Sequence, residues 1–225
     1  MPAPKTAPTI LLTGFEPFED DPVNPAWEIA RALDGEVIAG ATVHGVELPC
    51  VFGDSITALD AAIEHLKPVL VVALGFAGNR CEITPERVAI NLDDARIADN
   101  AGRQPVDTQV VEGGPSAYFT TLPIKAMTQA MLDEGVAASV SNTAGTFVCN
   151  HIFYAVMHSL AQHSAAPGAR GGFIHIPPLP EMKTRGAQQT RNGMDLATQV
   201  RGIRAALHAA MTVTQDLRVT AGQIS

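Results

Sequence analysis

Apolar and polar positions along this chain switch repeatedly between two periods. Residues 69–74 are a continuous apolar run of strand length, the pattern of a strand buried on both faces. Shorter runs at 9–13 (ending at Gly14), at 136–140 and at 172–176 (cut short by Pro177 and Pro178) also read as strands. Residues 36–48 are β-like with turns. Residues 87–92 alternate, with Val88, Ile90 and Leu92 on one side of a half-exposed strand. Helical spacing fills the intervals. Residues 26–33 follow Asn24 as N-cap and Pro25 as first helical position, and stop at Gly35. Residues 54–66 carry Ile56, Leu59, Ala62, Ile63 and Leu66 on one face, and Lys67-Pro68 ends them. Helices are also predicted over 123–132, closed near Gly135, over 148–162 and over 196–211. Residues 93–115 are polar, with scattered glycine and proline, and predict a long loop or a small hairpin excursion; 164–169 predict a loop.

Strands alternating with helices, several of them continuously apolar, predict an α/β fold: a single-domain α/β/α sandwich around a mostly parallel twisted sheet. The 225 residues suit one catalytic domain over 1–225, with the Pro- and Ala-rich residues 1–8 as a flexible tail. A chain that is 46% hydrophobic and 17% charged can build a substantial core. A net charge of -8, with no basic run longer than a pair, argues against nucleic acid and anionic membranes as partners. No apolar run reaches the length of a membrane span, and no signal peptide is visible. Cys50, Cys81 and Cys149 are odd in number, widely spaced and without a C-x-x-C. They form neither a disulfide framework nor a zinc site, so no metal or cofactor is expected, and a reduced, cytoplasmic protein is.

Sites in parallel sheets form outside the carboxyl ends of the strands. Residues 15–18, Phe76, Cys149 and His175 all lie at or just past the end of a predicted strand. Cys149 stands just inside the helix that follows the small-residue turn Ser141-Asn142-Thr143-Ala144-Gly145-Thr146. The unpaired N–H groups and positive dipole of a first helical turn favour a thiolate, the nucleophilic form. Cys149 is equally in step with Ile152, Phe153, Val156 and Leu160, the spacing of a buried helix face.

A nucleophilic cysteine needs a base, and the base an orienting group. Of the seven histidines, His151 and His158 share the cysteine's helix but point away from it. His65 and His163 sit near helix C-termini, His44 in the β-like stretch and His208 in the last helix. His175 ends an apolar strand beside rigid prolines and leads on geometry. For the orienting carboxylate, Glu86, Asp93 and Asp94 compete, and spacing does not choose among them.

The stretch Thr143-Ala144-Gly145-Thr146-Phe147-Val148-Cys149-Asn150 resembles the cysteine motif of the pyroglutamyl peptidase I (pyrrolidone-carboxylate peptidase) family. Gly75-x-x-Gly78, then Ile83-Thr84-x-Glu86-Arg87-Val88-Ala89-x-Asn91, is similar to its glutamate motif. Gly14-Phe15-Glu16-Pro17-Phe18 with Asn24-Pro25 is similar to its N-terminal loop, and Ile174-His175-Ile176-Pro177 is a looser match to its histidine region. The resemblance runs from Ile10 to about Glu181. It implies a cysteine exopeptidase that removes N-terminal pyroglutamate through a thioester. Cys149 would be the nucleophile, His175 the base and acid, and Glu86 the orienting group. Arg96 and the Cys149 backbone N–H would hold the oxyanion, and a homo-oligomer, a tetramer, is implied.

Pyroglutamate is a neutral lactam with apolar faces, so its site wants aromatic walls and a few backbone hydrogen bonds. Phe15, Phe18, Phe76 and Phe147, four of the eight phenylalanines, fall on three predicted site loops, and with Asn24 they are the candidate substrate-binding residues. Three departures stand out: Phe76 where the family usually has glutamine, Glu19 where glycine is frequent, and Pro178 where tyrosine is. Two alternatives remain: a phosphorylase-like nucleoside transferase, for which Gly75 to Arg80 is the only candidate anion cradle, and a non-catalytic binder of pyroglutamyl peptides.

Overall fold

The sheet is built from strands whose alternate residues face two different helical layers. In the computed structural model, which describes residues 7–162, 165–182 and 193–222, the first strand is β1 (Thr9–Phe15), followed by helix α1 (Pro25–Leu33). A hairpin of β2 (Val37–Ile38) and β3 (Ala41–Leu48) comes next, then α2 (Asp54–Leu66), β4 (Leu70–Phe76) and the short β5 (Thr84–Pro85). After β6 (Val88–Ile90) and β7 (Ala117–Phe119) come α3 (Ile124–Asp133), α4 (Val148–Ala161), β8 (Arg170–Ile176) and α5 (Leu196–Thr212). The main sheet has the order β2-β3-β1-β4-β8-β5. Its four central strands are parallel, and both edges, β2 and β5, are antiparallel. The parallel sandwich that the apolar runs predict is present.

Period-two alternation distributes the core. Ile10, Leu12, Val72, Leu74, Ile174 and Ile176 pack with α1, α3 and α5. Leu11, Val71, Ala73 and Phe173 face α2 and α4 on the other side. The chain leaves β1 for β3 and then crosses back to β4 on the far side of β1. The ends of β1 and β4 therefore flank a switch in winding direction, where such sheets place their ligands. Asn24 caps α1 as expected, its side chain accepting from Ala26 N at 3.1 Å. The stretch at 36–48 becomes a hairpin because Ala39 and Gly40 both take positive φ, 49° and 84°, as a two-residue turn of the mirror-image type requires.

Three expectations are corrected. Residues 136–140 do not form a regular strand; they meet the sheet only through isolated parallel bridges, Ile83 to Ala138 and Glu86 to Ser141. The ladder is broken at Pro85. Ile83 N, Ser139 N, Ser141 N and Arg87 N all donate across it, but Pro85 has no N–H to give in its turn. The strand at 87–92 shrinks to β6, and its buried side is Ala89 and Asn91, not Val88, Ile90 and Leu92. It pairs with β7, an unforeseen strand just past the 93–115 excursion, in a separate ribbon. Asn150 supplies its other edge. The Asn150 amide accepts from Ile90 N at 3.0 Å and donates to Ile90 O and Leu92 O at 2.9 and 3.0 Å, a side chain standing in for a strand. Residues 1–6 of the expected tail, and His163, lie outside the described residues. No helix among the described residues is long and apolar enough to cross a membrane.

Candidate active site

β4 and β8 run in a register that sets Gly75 beside His175. Partners in a parallel pair share a face, here the face of Phe173, toward α2 and α4. Glycine at position 75 leaves that face open, and Cys149, the second residue of α4, enters it. A Cβ placed on Gly75 would stand 2.8 Å from Cys149 Sγ and 2.4 Å from Phe173 Cζ. The thiol and the imidazole therefore occupy one side of one pair of strand ends.

On the other edge of β8, β5 sets Thr84 opposite His175, and Glu86 N donates to Phe173 O at 2.9 Å. This carries the wholly buried Glu86 carboxylate to the ring: His175 Nδ1 lies 2.7 Å from Glu86 Oε1. In the neutral ring Nδ1 donates this bond and Nε2 keeps its lone pair. Phe173 packs edge-on against the imidazole, centroids 4.9 Å apart, and limits its rotation. Arg80 Nη1 lies 2.8 Å from the same Glu86 oxygen.

Burial pushes the Cys149 thiol up to about 12, the Glu86 charge pushes the same way, and Arg80 opposes both. Burial holds His175 below its usual value, against the hydrogen bond and charge of Glu86, with the Arg80 cation assisting burial. Both shifts favour a thiol beside a neutral imidazole. They oppose the thiolate that the helix end by itself favours. A helix N-terminus contributes about 0.3–1 kcal/mol, less than the ~1.4 kcal/mol of a single pKa unit, whereas burial shifts groups by up to about 3–5 units. The arrangement suits a proton transfer made only when a carbonyl carbon is in place for attack.

Beside the thiol, Phe147 meets Phe18 and Phe52 edge-on at centroid distances of 5.5 and 5.3 Å. With Phe15, Leu48, Cys50 and Cys149 these rings form one apolar cluster. Polar bonds brace its rim. Glu16 Oε1 accepts from Cys50 N at 3.0 Å and Asn100 Nδ2 at 2.9 Å, and Asp99 Oδ2 accepts from Phe52 N at 2.9 Å.

Residues 8–213 match the family model described as pyroglutamyl peptidase. The chain belongs to the pyroglutamyl peptidase family. It is 57% identical over 217 residues to the pyrrolidone-carboxylate peptidase of Cupriavidus taiwanensis, covering 96% of this chain and 99% of that one. It is 52% identical over 213 residues to that of Klebsiella pneumoniae, covering 95% and 97%. The crystal structure of pyroglutamyl peptidase I from Bacillus amyloliquefaciens superposes with a TM-score of 0.88 at 42% identity, covering 93% of this chain and all of that one. Pyrrolidone carboxyl peptidase from Thermococcus litoralis gives 0.88 at 34% identity, covering 95% and 99%.

In this member of the pyroglutamyl peptidase family, Phe15, Phe18 and Phe147 gather with Cys149, while Phe76, half-buried at the end of β4 beside Ile176, is not part of that cluster. Asn24 is buried; its Oδ1 caps α1 and its Nδ2 donates to Glu16 O at 3.0 Å, which fixes the loop between Phe15 and Phe18. Arg96 is exposed on a loop tied to the cysteine turn by Asp94 N to Thr146 O at 3.0 Å and Thr146 Oγ1 to Asp94 O at 2.8 Å. Of the three competing carboxylates, Glu86 reaches His175. Asp94 is exposed, and Asp93 Oδ2 lies 2.7 Å from His151 Nδ1.

Sequence reasoning missed three groups. His151, set aside for pointing away from the thiol, also accepts from Gly53 N at 2.9 Å and packs on Phe52. Phe52 follows the end of β3, so the strand-end rule that found the other rings reaches it as well. Arg80 stands in the loop offered as an anion cradle, but its guanidinium is engaged with Glu86. Among the described residues, no group of three His, Cys, Asp or Glu is placed to hold a metal ion.

Proposed function

We propose that this chain is a cysteine exopeptidase that hydrolyses N-terminal pyroglutamate from peptides, with Cys149 as nucleophile, His175 as base and acid, and Glu86 as the group that orients the ring. The observation that carries the reading is the buried Glu86–His175 hydrogen bond on the sheet face that the Cys149 thiol enters.

With substrate bound, His175 Nε2 takes the thiol proton as sulfur attacks the pyroglutamyl carbonyl carbon. The C–S bond forms and the carbonyl π pair moves to oxygen, where the Cys149 N–H and Arg96 hold it. The pair returns, the C–N bond breaks, and the leaving amine takes the proton from His175. Water then gives a proton to His175 and its oxygen attacks the thioester. The C–S bond breaks, pyroglutamate leaves, and the sulfur recovers its proton. The downward shift of His175 and the upward shift of the Cys149 thiol both support this order of steps.

Phe15, Phe18, Phe147 and the newly found Phe52 make the apolar walls for the lactam, and Asn24 shapes the first loop. A homotetramer is the proposed assembly, with the 99–115 excursion, where Val106 is exposed, and α5 as its surfaces; light scattering tests it. Three free cysteines suit a reducing compartment, and the cytoplasm is the proposed location.

The test is chromophore release from a pyroglutamyl anilide beside the prolyl anilide, for the parent and for Cys149→Ala. Lactam-selective turnover that the substitution abolishes is expected. Binding without turnover in the folded, reduced parent would replace the peptidase with a binder.

A further inference from the structure

Arg80 places a cation on a carboxylate that has no exposure at all. Its Nη1 is 2.8 Å from Glu86 Oε1, the oxygen that also receives His175 Nδ1 at 2.7 Å. Glu86 Oε2 has no hydrogen-bond partner among the described residues. The guanidinium also reaches Thr84 Oγ1, the residue opposite His175 in the sheet. Its Nη2 donates to Ser141 Oγ at 3.2 Å and to Thr143 O at 3.1 Å, on the turn that leads into α4. One side chain therefore bonds to the carboxylate behind the imidazole and to the segment that positions the thiol.

The charge balance gives this contact a consequence. Among the described residues, the titratable and charged groups facing His175 are Glu86 just past β5, Arg80 from the loop after β4, and Cys149 from α4. With a thiol, a neutral ring, a carboxylate and a guanidinium, the buried cluster is neutral. Without the guanidinium it holds an uncompensated buried anion, and the Glu86–His175 pair then takes up a proton as a unit, whichever partner carries it. A pair holding that extra proton cannot accept another from the thiol.

We propose that Arg80 is a positioning residue of the reaction: its guanidinium balances the buried Glu86 carboxylate so that His175 stands as a free base, and it ties that carboxylate to the turn carrying Cys149. The proposal rests on the reading of Cys149, His175 and Glu86 as the reacting machinery. The Arg80 charge lowers both His175 and Cys149, the direction this role requires.

The experiment compares the parent with Arg80→Met and Arg80→Lys through two readouts over one pH range. One is kcat/KM for a pyroglutamyl anilide. The other is the rate of Cys149 alkylation by iodoacetamide, resolved from the exposed Cys81 by peptide mass spectrometry. In Arg80→Met the acid limb of both profiles moves up by about one pH unit or more, with about a tenfold loss on the acid side. Arg80→Lys keeps the charge and holds the limb in place, with a lower plateau from the lost bonds to Ser141 and Thr143. A limb in Arg80→Met that coincides with the parent's, over a plateau lowered equally at every pH, means a merely structural arginine and overturns the proposal. If Arg80→Met does not fold, Arg80→Gln, uncharged but still a donor to the turn, carries the same expectation. If the parent does not turn over the anilide, the peptidase reading fails, and the alkylation profile still decides the role of Arg80.

Discussion

Gly75 and Cys149 share one space, the thiol sulfur standing 2.8 Å from where a side chain at position 75 would begin. Gly75→Ala forces Cβ against both Sγ and the Phe173 ring. A packed core relieves such an insertion only by shifting side chains off their rotamers, at a cost of about 1–3 kcal/mol. The expected result is a lower midpoint in thermal unfolding together with at least about a tenfold fall in kcat/KM, since a misplacement of about 1 Å at a reacting group can cost about 10²-fold. Unchanged turnover in Gly75→Ala would mean that the sulfur does not work from this position.

Glu86→Gln keeps the size of the side chain but removes its charge, and its amide can offer a hydrogen to Nδ1 and trap the wrong tautomer. Turnover is expected to fall by up to about 10⁴, the loss when the orienting aspartate of a Ser-His-Asp triad becomes an amide. Circular dichroism should stay that of the parent. Activity within a few-fold of the parent would remove Glu86 from the mechanism.

His175 ties activity to pH with a definite sign. Burial holds it below its usual value of 6.5, so the ring stays neutral down to pH values below 6.5 and kcat/KM should hold there before falling. Stability follows the same group. The unfolded chain takes up this proton near pH 6.5 while the folded chain resists, so unfolding becomes easier as pH falls through that region. Denaturant midpoints at pH 7.5 and 5.5 test this, with His175→Gln flattening the difference.

Asn150→Ala deletes three hydrogen bonds to the backbone of residues 90 and 92. With Asn150 itself 1% exposed, the freed groups have no water close by. A loss of about 2–4 kcal/mol in chemical denaturation is expected, from one or two unsatisfied groups at ~1–3 kcal/mol each. A loss below about 0.5 kcal/mol would show that β6 does not depend on its surrogate partner.

The parallel sheet was legible because residues 69–74 can be continuously apolar only where both faces are covered, and the strand-end rule then put Cys149, His175 and the loop phenylalanines on one edge. What stayed hidden depends on partners remote in sequence. Asp93 and Glu86 look alike along the chain; only the three-dimensional path gives one to His151 and the other to His175. Arg80 reads as the end of a candidate anion cradle until the carboxylate it balances is seen to be buried. The gap in the ladder at Pro85 appears only once residues 136–141 are known to lie beside it. The opposing influence on the thiol was hidden for a related reason: the helix end is local and visible, whereas the burial that pushes the Cys149 thiol up is contributed by the whole fold.

The order of strands in the sheet has a kinetic meaning. β8 is the last strand among the described residues, yet it lies between β4 and β5, which precede it by about a hundred residues, and it carries His175. Until it slots in, the proposed nucleophile and orienting carboxylate exist without the proposed base between them. Helices form within microseconds, but pairing strands this distant is slow. Recovery of activity during refolding therefore trails the recovery of helical signal and reports the insertion of a single strand. A nascent chain on the ribosome acquires its reacting centre only when its sheet closes.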